Sequence, residues 1–392
     1  MDKANLIEGP NSIMKKLKVY IVLILLTAFS GCVAKGSNPT VAVGKAPQHT
    51  KEAKQVLAKL RKAARRKAPL FGHQDALMYG QNWWINESDS LYERSDVYEV
   101  CGEYPYVLGL DLGKIEEGGD RNIDRCLFKQ MKEAAIAHHN RGGIITISWH
   151  MDNPETKGTS WDCTGGNIVH KILVDSLFRQ QFLTWLDAGA DFINSLVDSK
   201  GHKIPVLFRP WHECNMDGFW WSGKSCTEEE FIKLWRFTFD YFVNKKKMYQ
   251  LLWVYSPHDI KSREELVSRY PGDEYIDVIG YERYQLGAIT YKMGAKRFAE
   301  GVSKGLDMTI NFSQKHKKIA AFTETGFPGI PYDRWWTEAL GTAVNKKRIA
   351  YVLVWRNGKS ESYFFGPCMK SSSSPDFKKM VKNQKIKLLS PR

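Results

Sequence analysis

The sequence predicts a single (β/α)₈ barrel that follows an export segment, and three observations lead to this expectation. Short apolar or β-branched runs alternate with longer amphipathic stretches eight times along the chain. The 392 residues are 43% hydrophobic and 26% charged, a composition typical of a globular protein with a large core. Polar and aromatic residues follow several of the apolar runs, as they do in the active-site loops of barrels. Eight such units favour a closed barrel over a doubly wound sheet.

Each predicted strand is a short apolar run that ends at a turn or at a group of polar residues. In order, the predicted strands are 69–73, 104–111, 143–150, 204–209, 250–255, 277–281, 318–323 and 349–355. The longer amphipathic stretches between them predict helices. The clearest of these helices are 127–138, 180–198, 227–244 and 291–314. Together these elements predict one catalytic domain over residues 51–392.

The N-terminus predicts export and lipidation. After Met14 come a basic segment at 15–18, an apolar run at 19–29 and the small residues that precede Cys32. We therefore predict a signal peptide over residues 1–31, with Met14 as an alternative start, then a lipidated Cys32 and a tether to residue 50. The apolar run is short for a transmembrane helix, which is the weaker alternative. The segment after Cys32 lacks acidic residues, so we expect an outer-membrane lipoprotein that faces the periplasm, with the cell surface as the alternative.

The formal net charge of +14 does not by itself indicate nucleic acid as a partner. The Lys and Arg residues are scattered through helical stretches such as 51–67 and 296–318, and no nucleic-acid-binding motif accompanies them. We expect solvated basic faces and no nucleic-acid partner. Besides Cys32 there are six cysteines without a CxxC pair, so a metal site is not expected, and their pairing stays open.

Two glutamates stand at predicted strand ends. Glu213 closes the sequence Arg-Pro-Trp-His-Glu after strand four, and Glu324 lies where strand seven meets a glycine turn. A carboxyl group beside an imidazole in an aromatic cleft is a suitable general acid, whereas a structural salt bridge to Arg209 is the alternative. Strands four and seven face each other across a barrel mouth. Such a pair of carboxyl groups fits retaining glycoside hydrolysis, which needs them about 5 Å apart.

These residues carry a resemblance to a known family. The sequence at 209–213, together with Gly-Phe-Trp-Trp-Ser-Gly at 218–223, resembles the acid/base motif of glycoside hydrolase family 26, the mannanase family of the retaining barrel clan. Further matches span most of the chain, from about residue 69 to residue 367. They lie at 71–74, 109–111, 148–150, 153–154, 323–326 and 354–357.

The resemblance implies a role for each matching residue. Glu213 takes the place of the acid/base and Glu324 that of the nucleophile, with Tyr284 donating a hydrogen bond to the nucleophile and Arg209 keeping it ionised. His212 takes the place of a residue that orients the acid/base region and the sugar. The further residues expected at the substrate are His150, Trp355, Trp220, Trp221, Trp161, Asp111 and Glu282. A structural role is the alternative for Trp161, and a pair with Arg283 is the alternative for Glu282.

The sequence departs from the family pattern at three positions. Gly218 stands where the family commonly has a Trp, Glu282 replaces an Asp, and Trp211 replaces a Phe or Tyr. The first departure removes a possible stacking ring, and the second places a longer carboxylate on strand six.

The resemblance implies a retaining hydrolase of β-1,4-linked mannan, glucomannan or galactomannan. Internal cleavage and release of mannobiose from chain ends stay open, as do β-glucan and β-xylan specificities of the same family. A catalytically inactive, lipid-anchored glycan-binding protein is the alternative from another class. We expect no cofactor, a monomer, and β-mannan or manno-oligosaccharides together with a lipid membrane as partners. A metal-dependent hydrolase is disfavoured because His73, His150 and His212 lack the spacing of metal ligands.

Overall fold

The computed structural model describes residues 48–86, 91–287, 291–358, 363–384 and 386–391, which belong to one compact unit. The predicted signal peptide, Cys32 and most of the predicted tether lie outside the described residues. In the part that is described, no helix is long and apolar enough to cross a membrane. The cysteines described are free thiols: Cys101, Cys126, Cys163, Cys214, Cys226 and Cys368.

Eight parallel strands surround one axis, as the sequence predicts. They are β1 (Leu70–Gln74), β2 (Val107–Asp111), β3 (Ile144–Ser148), β4 (Val206–Arg209), β5 (Leu251–Tyr255), β6 (Val278–Ile279 with Glu282–Tyr284), β7 (Ile319–Ala320 with Phe322–Gly326) and β8 (Tyr351–Val354). Each strand pairs in parallel with the next, and β8 pairs with β1. The ring of strands is therefore closed, and the predicted barrel is confirmed.

Helices connect each strand to the next outside the ring, whereas the first helix precedes β1 and the last follows β8. They are α1 (Lys51–Arg66), α2 (Asp96–Cys101), α3 (Phe128–Asn140), α4 (Ile168–Val174), α5 (Ser176–Ser195), α6 (Glu228–Phe239), α7 (Arg263–Val267), α8 (Tyr291–Lys315), α9 (Thr342–Val344) and α10 (Ser374–Gln384). The four helices singled out in the sequence correspond to α3, α5, α6 and α8. The predicted end of α6 near residue 244 is a wider turn of π-helix, Asp240–Lys245.

The sequence predicts β6 and β7 as continuous runs, but each is broken once. At the break in β6, a Cβ atom on Gly280 would lie 2.5 Å from Thr323 Oγ1, so the two strands approach too closely for a larger residue. Between Phe322 and Thr325, the pairing of β7 with β8 shifts register. Such irregularities re-aim side chains near active sites, and this one lies beside Glu324.

Helix α1 covers the amino-terminal end of the barrel. Thr50 caps the helix by accepting a hydrogen bond from the Ala53 N–H, and its own N–H donates to Tyr249. His49 contacts Asp277 at 2.7 Å. The buried face of α1 packs against residues near the starts of the strands, among them Leu70, Val107, Ile144, Val278 and Ile319. The opposite, carboxyl-terminal end of the barrel is where the candidate residues lie.

Candidate active site

Three glutamates meet at the carboxyl-terminal end of the barrel. One oxygen atom from each of Glu213, Glu282 and Glu324 lies within 4.8 Å of the others. Glu282 and Glu324 are direct neighbours because β6 and β7 pair in that register. Glu213 follows β4 on the other side of the mouth. The two predicted catalytic carboxyl groups are thus brought together, and a third carboxyl group lies beside them.

Both carboxylate oxygens of Glu324 are held by the protein. Arg209 Nη2 lies 2.5 Å from Oε2, and the hydroxyl of Tyr284 donates to Oε1 at 2.7 Å. Burial on its own would lower the pKa of Arg209, but the charges of Glu282 and Glu324 outweigh this and raise it. The guanidinium therefore stays charged beside Glu324. A carboxylate fixed at both oxygens is well prepared to attack along one direction.

Glu282 lies beneath the cleft and accepts a hydrogen bond from Arg209 Nη1. Its side chain is fully buried, and Oε2 has no hydrogen-bond partner among the described residues. Burial raises the pKa of Glu282 to about 8, because repulsion from Glu324 and Glu213 adds to the cost and Arg209 offsets only part of it. The expected sugar contact of Glu282 is wrong, since no part of the side chain reaches the surface. The alternative pair with Arg283 does not form either, because Arg283 pairs with Asp259 at 2.7 Å.

Glu213 is held on a strained turn after β4. The φ angle is 52° at both Trp211 and Glu213, in the left-handed region that few non-glycine residues adopt. The Glu213 N–H donates to the Ser256 carbonyl at 2.9 Å, which ties this turn to β5. The alternative salt bridge from Glu213 to Arg209 does not form among the described residues, where Arg209 pairs with Glu282 and Glu324.

His258 is a partner of Glu213 that the sequence analysis missed. His258 Nδ1 lies 2.7 Å from Glu213 Oε1. Burial would lower the pKa of His258, but the hydrogen bond and charge of Glu213 outweigh it and raise the pKa. Asn215 fixes the backbone of His258, donating to its carbonyl at 2.6 Å and accepting from its N–H at 2.7 Å. The imidazole is therefore placed to orient one oxygen of Glu213.

A second pair of a histidine and a carboxylate, His150 with Asp111, lies beside the three glutamates. His150 Nδ1 lies 2.7 Å from Asp111 Oδ2. Burial would raise the pKa of Asp111, but His150, Ser148 and the Gly113 N–H outweigh it and bring it to about 2. Burial would lower the pKa of His150, but Asp111 raises it. Burial lowers the pKa of His212 well below its usual value, with Arg209 and His150 adding to the effect.

His150 and His212 contact each other, and their pKa values are shifted in opposite directions. His150 Nε2 and His212 Nε2 are 3.2 Å apart, and two charged imidazoles would repel at that distance. The pKa of His150 is raised and that of His212 is lowered, so His150 is the more basic of the two and the favoured donor whenever one of them is protonated. Asp111 therefore acts on the cleft through His150 and is itself fully buried, so it positions His150 rather than touching a sugar.

Aromatic rings form one wall of the cleft. Trp161 is 53% exposed, and its ring stacks on His150 with centroids 5.4 Å apart. Phe219 lies 5.9 Å from Trp161, and Trp355 lies 5.9 Å from His150. An exposed ring supported from behind can stack against the apolar face of a sugar. The structure thus places Trp161 at the cleft, where its exposed face is available to substrate.

Comparisons with known proteins agree with this geometry. The family model described as Glycosyl hydrolase family 26 matches residues 45–306 of the chain. The chain belongs to glycosyl hydrolase family 26. A solved GH26 beta-mannanase from Bacteroides ovatus is 38% identical, with a TM-score of 0.81 over 88% of this chain and 96% of that one. The catalytic domain of a Bacillus sp. GH26 endo-beta-1,4-mannanase is 28% identical, with a TM-score of 0.79 over 88% and 93%.

A curated relative is also similar in sequence. A mannan endo-1,4-beta-mannosidase of Bifidobacterium adolescentis is 30% identical over 306 residues, which are 72% of this chain. The match spans 29% of that longer relative. The family resemblance expected from residues 209–213 and from the other motifs is confirmed.

In this family 26 chain, two of the expected substrate residues are core residues. Trp220 and Trp221 are fully buried. The Trp220 indole donates to the Met151 carbonyl and the Trp221 indole to the His212 carbonyl, each at 3.0 Å. The expectation that they touch substrate is wrong, because their rings pack behind the cleft wall. Trp221 stacks on Phe219, with centroids 4.5 Å apart, and so supports that wall from behind.

Two cavities of different character lie on the surface. One of about 500 Å³ adjoins the acid/base through His258 and is lined mainly by polar residues, among them Asn215, Asp217, Asp259 and Lys261. A larger cavity of about 960 Å³ lies along α8 and contains none of the candidate residues. The smaller cavity lies beside His258, the hydrogen-bond partner of Glu213.

Proposed function

We propose that this protein is an endo-acting β-mannanase that hydrolyses β-1,4-mannosidic bonds with retention of configuration. The observation that carries the proposal is the short distance, within 4.8 Å, between an oxygen of Glu213 and one of Glu324. Retaining enzymes keep their two carboxyl groups about 5–5.5 Å apart, whereas inverting enzymes leave room for a water molecule between them.

The contacts of the two glutamates support one assignment of the two roles. Glu324 is held by Arg209 and Tyr284 at both oxygens, so it is oriented for attack on the anomeric carbon. Glu213 accepts no hydrogen bond from Arg209 and instead contacts the titratable His258. Glu213 protonates the leaving oxygen in the first step, and in the second step it takes a proton from the water that releases the sugar from Glu324.

Support for mannan comes from the relatives, whose names state β-mannanase or mannan endo-1,4-beta-mannosidase activity. Support for internal cleavage comes from those names that state endo-acting enzymes. Mannobiose release from chain ends is the competing mode.

A time course of products on unbranched mannan, mannohexaose, cellohexaose and a mixed-linkage β-glucan tests the proposal. An endo-acting mannanase produces a range of manno-oligosaccharides from the first minutes. Mannobiose as the sole early product would establish chain-end action, and cleavage of the glucan alone would contradict the mannan proposal. Binding of mannan without cleavage would favour a glycan-binding protein.

The roles of the two glutamates are tested with two substrates. Glu213→Ala should cripple cleavage of mannan but retain more activity on an aryl mannoside whose leaving group needs little protonation. Glu324→Ala should lose activity on both substrates, because the nucleophile is needed for each. Glu213→Gln and Glu324→Gln serve as isosteric controls. Equal losses on both substrates for Glu213→Ala would contradict the assignment.

We also propose, from the N-terminal sequence alone, that the protein is exported and carries lipid on Cys32. Lipidation would place it on the outer membrane, facing the periplasm or the cell surface. Metabolic labelling with a fatty acid analogue should mark the wild type and leave Cys32→Ser unlabelled. Labelling of both variants would contradict Cys32 as the site.

A further inference from the structure

The end of the barrel opposite the cleft is strongly basic. Helix α1 and Lys67 after it contain eight Lys or Arg residues and one acidic residue, Glu52. Because α1 packs over the strand starts, these charges lie at the amino-terminal end of the barrel. We define the basic face as the surface formed by the exposed side of α1 and the turns that precede β7 and β8.

Two grooves flank α1 on this face. One is lined by the cations Arg61, Arg65, Lys317, Lys318 and Arg348. The other is lined by the cations Lys59, Lys62, Arg66 and Lys387. In the described part of the chain, no acidic side chain lines either groove.

Most cations of the first groove are exposed, and Lys318 is partly buried. Burial lowers the pKa of Lys318, whereas Asp277, Asp273 and Glu274 partly offset this, and Arg61 makes a smaller contribution that lowers it. Arg61, Arg65, Lys317 and Arg348 are exposed. Gathering like charges costs free energy, so such a surface favours an anionic partner.

We propose that the basic face docks on the anionic phospholipid headgroups of a membrane leaflet. The described chain begins at residue 48, and His49 and Thr50 attach it beside the starts of β5 and β6, at the same end of the barrel. The predicted lipid on Cys32 would lie 16 residues earlier. A tether of that length reaches at most about 55 Å, which allows many orientations of the barrel. Docking of the basic face selects the orientation in which the cleft points away from the membrane.

Lipid is favoured over nucleic acid as the occupant. Lysine and arginine clusters next to a membrane anchor attract anionic lipid, and each basic residue near the surface strengthens binding about fivefold. The grooves contain no aromatic platform for bases apart from Tyr106 in the second groove, among the described residues. The inference is independent of the proposed activity, because it concerns the opposite end of the barrel.

The test uses unlipidated protein of residues 45–392, which contains the closed barrel and its cores. Sedimentation with vesicles of neutral phosphatidylcholine, with or without 30 mol% phosphatidylglycerol, measures partitioning at low and at high salt. The triple variant Arg61→Glu, Arg65→Glu, Arg348→Glu is compared with a matched variant of equal charge change, Lys292→Glu, Lys296→Glu, Arg297→Glu. The matched residues lie near the start of α8, which follows β6 at the cleft end of the barrel.

The proposal expects binding to the anionic vesicles at low salt and little binding to neutral ones. The basic-face variant should bind about 100-fold more weakly, whereas the matched variant should change less than about threefold. Circular dichroism spectra and urea unfolding of all three proteins check that they fold. Equal partitioning onto both vesicle types, equal losses in the two variants, or tighter binding to RNA than to anionic vesicles at the same salt would each overturn it. If the variants do not fold, salt dependence of wild-type binding decides: binding that persists in 0.5 M salt overturns the proposal.

Discussion

Replacement of Glu282 by glutamine tests how the active site balances its charge. Three carboxyl groups lie together, and Arg209 is the cation that contacts two of them. Because burial raises the pKa of Glu282 to about 8, the folded protein keeps a proton on this group at neutral pH. In the unfolded chain the same group loses its proton near pH 4.5. Glutamine has the same shape, stays neutral at every pH, and can still accept from Arg209.

The magnitude follows from the two pKa values. Between about pH 4.5 and pH 8 the folded state holds one proton more than the unfolded state at this position, so wild-type stability falls as pH rises. The slope from this group is about 1.4 kcal/mol per pH unit, or about 4 kcal/mol between pH 5 and pH 8. Glu282→Gln lacks this fall. The difference in the free energy of unfolding between Glu282→Gln and wild type should therefore increase with pH by about 1.4 kcal/mol per unit and level off above pH 8.

Urea unfolding of both proteins at pH 5, 6, 7, 8 and 9 measures this difference. Glu300→Gln is the control, because Glu300 is exposed on α8 and its replacement should leave the difference independent of pH. Hydrolysis of mannan at pH 6 should stay within about tenfold of wild type, since glutamine resembles the protonated acid. Parallel stability curves for wild type and Glu282→Gln would show that Glu282 is ionised in the folded protein and would refute the argument.

Three further substitutions test the contact of Tyr284 with Glu324, the pair of Asp111 with His150, and the aromatic wall of the cleft. Tyr284→Phe removes the hydrogen bond to Glu324, a contact of about 1.5–3 kcal/mol for a carboxylate acceptor, so kcat/KM should fall about 10- to 100-fold. An unchanged kcat/KM would contradict this expectation. Asp111→Asn should lower the free energy of unfolding by about 2 kcal/mol above pH 4, because the lowered pKa of Asp111 stabilises the folded wild type at those pH values. The difference from wild type should shrink as the pH falls through about 2. Unfolding curves that stay parallel down to that pH would refute this. Trp161→Ala should raise KM for mannohexaose about tenfold with a smaller change in kcat, whereas a fall in kcat alone would remove this ring from substrate binding.

The barrel could be predicted from the sequence because each strand leaves its own local pattern. Glu213 follows the apolar run of β4 and Glu324 lies near the end of β7, and strand direction brings both to one face. The motif at 209–213 then identified the chemistry. The closeness of Glu213 and Glu324 could be predicted without knowing the side-chain packing, because barrel geometry places β4 and β7 across the mouth from each other.

The missed features depend on contacts between strands, which a single sequence does not show. His258 follows β5, and only the pairing of neighbouring loops brings it to Glu213, so its position next to Ser256 and Pro257 gives no indication of its role. Trp220 and Trp221 were expected in the cleft because they lie in the motif. Burial decides otherwise, and nothing in residue type distinguishes a ring that packs behind the wall from one that forms it.

The distribution of the positive charges could not be predicted from the sequence for the same reason. A value of +14 spread along the chain suggested solvated helices, because sequence order does not reveal which turns share a face. In a parallel barrel every turn before a strand opens on one end and every loop after a strand on the other. The lysines and arginines before β7 and β8 therefore gather with α1, while the glutamates on β6 and β7 gather with Glu213 around Arg209. Strand direction thus separates a cationic end of the barrel from the end that carries the three glutamates.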